Sequence, residues 1–459
     1  VGQVTAHNVC TGSVIGQTQV SLKVENVYTT TESYAKAIGL LGNGATADGT
    51  AVIMGEALLE DYGGYQWTTL DFDTYWAVVK DDTPILASFA ASVPSLAGVR
   101  RLFAIEWYDE NASAYTLNTV EDLYGLYIMS SNTDFAGKTV KLGADITVNE
   151  GKASDFAANA PELIWNPIQK FAGIFDGQGH TISGLYLKTG NNKAGFFAET
   201  TNDAVVKNLK LTNSYFESTL ANSMYALMGS IVGFGRGTFD TIYSDAIIVG
   251  SGMGNGGLIG VINTDATAVK ISNCQFDGSV TGYRFVGGLV GCAWGGTVTI
   301  EHCLNNGSVK GRATNTGMNV GGLCGFVQST AKGITISDSL NVGQVTAHNV
   351  CTGSVIGQTQ ISPKAENVYT TTESYAKAIG LFNNGAKLDG TVTTLAQKEL
   401  LGAGAEKNTA LNFDDYWVAK EDATPELKSF KEIRVANISW YESAMAIYNL
   451  CLEHIRMIF

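Results

Sequence analysis

Asp176 and His180, within Phe175-Asp-Gly-Gln-Gly-His180, are a carboxylate and an imidazole close enough in sequence to suggest proton transfer. Cleaving a glycosidic bond by hydrolysis takes two carboxyl groups roughly 5–10 Å apart. A lyase would want calcium-binding acids with an Arg or Lys on the same face. Arg236, Arg284 and Arg312 recur along the chain, but no repeated ladder of acids accompanies them. The string around Asp176 reads more simply as a turn, its carboxylate bonding the backbone and its glycines taking special φ. The other histidines offer less. His7 and His348 are one repeat position, His302 aligns with Asn273 and Asp338, and His454 lies in a divergent tail. Asp71/Asp73 and Asp414/Asp415 lack the Asp-x-Asp-x-Asp-Gly loop of a calcium site, so turns are expected there too. Gly254-Asn-Gly-Gly257 is not followed by the Lys-Ser/Thr of a phosphate loop. The expectation is therefore no catalytic residue, no cofactor and no bound metal. Tyr283 and Trp294, which flank Gly287-Gly-Leu-Val-Gly291, are the remaining candidates. Exposed, such rings could stack on a sugar; burial under a loop is the competing expectation.

What must position these residues is a repeat. Residues 1–40 return at 342–381 with 37 of 40 positions identical. Inside that long period a glycine-bracketed pentapeptide recurs as Gly229-Ser-Ile-Val-Gly233, Gly256-Gly-Leu-Ile-Gly260, Gly287-Gly-Leu-Val-Gly291, Gly321-Gly-Leu-Cys-Gly325 and Gly353-Ser-Val-Ile-Gly357. Its closing glycines are 27, 31, 34 and 32 residues apart, a solenoid period. Each copy is followed by an alternating run such as Val269-Lys-Ile-Ser-Asn-Cys274 or Val298-Thr-Ile-Glu-His-Cys303, which reads as strand. About thirty residues hold two or three short strands and no helix. Such strands bury a core only if each period makes one coil and the coils stack in parallel. The reading is a mainly β chain: a right-handed parallel β-helix, with Cys274, Cys303 and Ser339 in one ladder and Leu258, Leu289 and Leu323 in another. The glycines are expected at tight corners, some at positive φ.

Exposed sheet edges need covers. Thr119 and Asp122 form a plausible capping box, and Val120, Leu123, Tyr124 and Tyr127 share a helical face, so a short helix is expected over 119–129, with strands at 138–142 and 145–148. The segment from Asn367 through a short helix near 394–401 to Phe413-Asp-Asp-Tyr-Trp417 and Pro425 is expected to cover the other end. These boundaries divide the chain into four parts. Residues 1–89 end a preceding unit, 90–104 form a linker, 105–430 make a complete unit, and 431–459 begin a following one, from Trp440-Tyr441. The chain is thus expected to be a piece of a longer array.

Composition agrees. Hydrophobic residues are 45%, charged residues 16%, and Gly at 53 far exceeds Pro at 6, a profile of stacked strands rather than helices. A net charge of −14 without any basic run argues against nucleic acid or an anionic membrane as partner. No apolar run is long enough to span a bilayer. Seven cysteines in no paired spacing suggest buried thiols rather than disulfides or metal ligands.

The run from Phe171 to Leu187, with its Phe-Asp-Gly-Gln-Gly-His core, and the Gly-Gly-Leu-Val-Gly repeats together resemble the GLUG-motif family of bacterial surface proteins. Trp107-Tyr108, Asp134-Phe-Ala-Gly-Lys-Thr-Val-Lys-Leu142 and Ala144-Asp-Ile146 are similar to that family's lead-in, and Trp417 through Pro425 to its exit. The resemblance implies a β-helix on an exported, adhesin-like protein, extracellular or at the cell surface. Some relatives carry the motif beside a metallopeptidase that cleaves immunoglobulin A, but the His-Glu-x-x-His sequence such an enzyme needs is absent. The favoured function is a non-catalytic stalk or adhesive segment. Its partners would be host or microbial glycans or surface proteins, besides the neighbouring repeat units. The alternatives are a β-helix enzyme acting on polysaccharide, as lyase or glycoside hydrolase, and a spacer in a larger surface peptidase.

Overall fold

The alternating runs at 268–272 and 297–301 become neighbouring parallel strands, with Val269 against Val298 and Ile271 against Ile300. Repetition of that pairing builds the whole fold. In the computed structural model the chain is mostly β, a parallel β-solenoid of about seven turns with small extra sheets. The structure describes residues 102–430 apart from 221–225, 313–317 and 348–350, together with short stretches between 15 and 87. The expected following unit at 431–459 lies outside the described residues, as do His7, His348, His454, Asp71, Asp73 and most of the linker.

Four sheets run along the stack. A long one extends from Ala114–Leu117 to Asp389–Leu395, and an eight-stranded one from Ile168–Phe171 to Ile379–Phe382. One six-stranded sheet begins at Tyr186–Thr189, the other at Lys193–Ala194. Inward-facing residues superpose coil on coil: Phe175, Val206, Phe239, Ile271, Ile300 and Ile336 form one continuous buried row. The two expected ladders are present. Leu258 N–H donates to the Leu289 carbonyl (3.1 Å) and Leu289 N–H to that of Leu323 (3.0 Å), while Cys303 N–H donates to Ser339 Oγ (3.1 Å). Cys274, Cys292, Cys303 and Cys324 are buried and unbridged.

Two kinds of corner explain two residue preferences. Asn208, Thr241, Asn273, His302, Asp338 and Asn367 occupy successive copies of one corner of the long sheet, all with φ between 44° and 54°. Short polar side chains tolerate this left-handed conformation best. Three of them also tie the coils together: the Asn208, Asn273 and Asn367 amides donate to Asp176, Asp240 and Asp338 at 2.8–3.0 Å. The pentapeptide glycines serve a different end, and here the expectation of positive φ needs correction. Gly287 and Gly321 are not among the residues at positive φ. A Cβ on them would lie 1.9 and 2.0 Å from the carbonyl oxygens of Val290 and Cys324. The strand before the Gly-Leu corner and the strand after it meet backbone to backbone, and only hydrogen fits between.

The first coil is covered as expected. Helix Val120–Met129 starts at a reciprocal capping box, Asp122 N–H to Thr119 Oγ1 and Thr119 N–H to the Asp122 carboxylate, both 3.1 Å. It buries Leu123, Tyr124 and Tyr127 against the stack. Phe103 is buried and Ala104 N–H bonds the Glu121 carbonyl, so residues 102–104, assigned from sequence to the linker, belong to this cap. The preceding segment reaches the cap as well. Leu102 N–H donates to the Gln66 carbonyl at 3.2 Å, and burial first, then the electrostatic influence of Tyr28, pushes the Tyr127 hydroxyl up to about 12.

The other cover is not where the sequence suggested. Gln397–Leu400 and Ala403–Asn408 are short helices, and Trp417–Lys420 pairs antiparallel with Ala423–Leu427. Together they fold back along the side of the long sheet. They bury an outward row formed by Tyr243, Leu304, Leu340 and Tyr369 under Leu400, Leu411, Trp417 and Phe430. Phe430 reaches Tyr243 (ring centroids 5.6 Å) and Tyr416 stacks on His302 (3.6 Å, 10° between planes), four and two coils from Tyr369. The segment is a lateral strap. Most of the last strand, Asp389–Leu395, remains exposed. The 341-residue period is also structural. Ile15–Thr18 pairs with Ile38–Leu41 as Ile356–Thr359 pairs with Ile379–Phe382, and hairpin 76–86 matches hairpin 417–427.

Candidate functional site

The turn that holds Asp176 begins where strand Ile174–Asp176 ends, at the outer corner of the long sheet. Burial would raise the Asp176 pKa, but the Asn208 amide, the Gln178 N–H and the Lys207 ammonium outweigh it and hold the carboxyl below its usual range. A lowered carboxyl is a poor general acid. His180 does not face it: its Nδ1 lies 3.1 Å from Asp145 Oδ1, on the neighbouring coil. The sequence neighbours thus have separate structural partners. His302 fills the left-handed corner under Tyr416, and Asp415 closes a turn by accepting from the Asn412 amide at 2.9 Å. Among the described residues no group of three or more His, Cys, Asp or Glu could hold a metal ion.

Trp294 has a different setting. The glycine arch that joins the second six-stranded sheet to the eight-stranded sheet leaves a groove of about 500 Å³ on its outer side. Four rows of side chains line it, each set by strand register. Met253 and Arg284 make one row, and Phe285, Asn319 and Cys351 the next. Across the arch, Phe326 and Gln358 follow Cys292 in register, and the outermost row is Trp294, Gln328 and Gln360. Phe285 and Phe326 stack at 4.6 Å, the Arg284 guanidinium lies 5.4 Å from the Phe285 ring centre, and Trp294 meets Phe234 edge-on at 6.1 Å. Trp294, Arg284 and the three glutamines are partly exposed, whereas Phe285 and Phe326 are buried. Gln360 is oriented, since its side-chain oxygen accepts the Ser329 N–H at 3.0 Å.

Beyond Phe234 the same face carries Lys193, 4.9 Å above the Phe234 ring, and Arg236, both paired with Glu199. Burial pushes the nearby Cys292 thiol well up and Cys324 up to about 12, so neither is a thiolate at neutral pH. Tyr283, the other sequence candidate, is half-buried and adjoins Arg284 but is not among the lining residues. Sequence reasoning missed Arg284, Gln328, Gln358 and Gln360 as one group. They come from three coils, and only alignment by coil register brings them together.

Known proteins resemble the chain distantly, one in sequence and one in fold. No family model matches it. Halomucin of Haloquadratum walsbyi is 26% identical over 342 residues, 70% of this chain, although the match spans only 3% of that protein's length. A solved Bacteroides ovatus structure, provisionally designated an immunoglobulin A1 protease, matches 72% of this chain and 96% of its own at a TM-score of 0.50 and 19% identity. That likeness concerns the fold alone.

Proposed function

We infer that this chain is a non-catalytic, repetitive stalk and adhesive segment of a secreted or cell-surface protein, binding a ligand along its side. The observation that carries this reading is how the chemistry-bearing side chains are used. Asp176, His180, Asp240 and His302 each join one coil to the next or the strap to the stack, while the outward groove holds aromatic and amide groups and no carboxylate. A 341-residue period that repeats in structure as well as sequence suits an extended array. The resemblance to GLUG-motif surface proteins and the match to a protein named halomucin support the same setting.

A second reading, a spacer within a larger peptidase, is favoured by the likeness to the Bacteroides ovatus structure. An enzyme acting on polysaccharide is the third. Incubating the chain with a panel of neutral and acidic polysaccharides, while assaying reducing ends and unsaturated products, tests the main proposal. No turnover is expected. Sustained turnover of any substrate would overturn it.

A further inference from the structure

The geometry points to a site for a carboxylated saccharide, of the uronic- or sialic-acid kind, in the groove between Arg284 and Trp294. This inference rests on the adhesive reading and names its ligand class.

Charge favours an anion here. The chain carries a net −14, yet the groove is lined by Arg284 and by no Asp or Glu. The stretches 313–317 and 348–350, which adjoin it in sequence, are Ala-Thr-Asn-Thr-Gly and His-Asn-Val and add no acid. Along the same face Lys193 and Arg236 share the single carboxylate Glu199. An anion approaching this seam therefore meets a locally positive field on an otherwise acidic molecule.

Side-chain chemistry favours a sugar. Trp294, braced by Phe234, offers a rigid apolar ring for the C–H face of a pyranose. Gln328, Gln358 and Gln360 carry amides, groups with both a donor and an acceptor, which match sugar hydroxyls. The oxygen of Gln360 is already engaged by Ser329, which leaves its amide hydrogens to donate. The guanidinium fork of Arg284 suits a planar carboxylate bound through two N–H groups. A groove of about 500 Å³ falls in the range of sites for small ligands.

Calorimetric titration of the full chain tests the assignment with matched pairs: sialyllactose against lactose, and trigalacturonate against its carboxyl-reduced counterpart. At least one acid should bind about tenfold or more tighter than its neutral twin, and the preference should shrink with added salt. The arm that binds decides between the two acid types. Arg284→Gln should abolish the preference without changing the melting temperature, and Trp294→Ala should weaken both members of the pair. Acid and neutral twins binding alike would overturn the site, and so would no binding by either acid. In the absence of turnover, no binding removes this site and leaves the stalk proposal standing. Turnover elsewhere on the molecule, with the acid preference intact, does the reverse.

Discussion

Asp245 and Asp277 stand on adjacent coils in one row, and the pair shows what stacking does to a carboxylate. Burial first, then the charge of Asp277, raises the Asp245 pKa from 3.8 to about 6, although Asn213 N–H donates to it at 2.5 Å. A raised folded-state pKa means that the folded chain keeps a proton the unfolded chain releases. Stability tied to this group is therefore complete below about pH 4 and is lost as pH rises through about 6. Asp245→Asn keeps the acceptor oxygen and removes the charge. It should stabilise the protein at pH 7 by about 1–2 kcal/mol, with the gain cut to about a third at pH 4.5, as read by urea denaturation at both values. An equal gain at both pH values would contradict the assignment. Residue identity at such positions was only partly legible in the sequence. The alignment of His302 with Asn273 and Asp338 was visible, but that the shared property is a left-handed φ required the backbone.

At the scale of elements, the arch glycines and the strap make opposite demands on the sequence. Gly321→Ala puts a methyl group 2.0 Å from a carbonyl oxygen and should cost about 3 kcal/mol or more. Gly333→Ala, whose nearest neighbour would be a methyl carbon at 3.8 Å, should change stability by less than about 0.5 kcal/mol. Thermal melts of the two variants separate close approach from mere flexibility, since a flexibility role would make the two losses similar. The pentapeptide announced these corners plainly because hydrogen is the only side chain that fits. The strap did not announce itself. Its hairpin alternates like any strand, and the apolar row that it covers, Tyr243, Leu304, Leu340 and Tyr369, becomes a stripe only after the coils are stacked. Trp417, fully buried against that stripe, anchors the strap. Trp417→Ala should cost about 3–5 kcal/mol within the strap and raise hydrogen exchange across 397–430 more than in the coils. Uniform deprotection would show instead that strap and solenoid unfold as one.

For the whole molecule, the solenoid class was legible because a period near thirty residues admits few architectures, and the end cap because Thr119 and Asp122 spell a helix start. The groove was legible only as Trp294. A site assembled from a few separated residues on each of several coils leaves no local motif, so its members look like ordinary surface variation. Everything rests on coil-by-coil parallel stacking, which sets all these neighbours. Lys141, Asp176, Lys207, Asp240, Ser272, Glu301, Ser337 and Glu366 follow one another in register. Neighbouring strands are about 4.8 Å apart, so Lys141 and Glu366 should be separated by ~34 Å and Lys207 and Glu366 by ~24 Å. Pulsed electron resonance between spin labels at those pairs measures both spans. Two narrow distributions near these values are expected, differing by about two coil steps. Equal spans, or spans that do not grow with the number of intervening coils, would contradict the stacking.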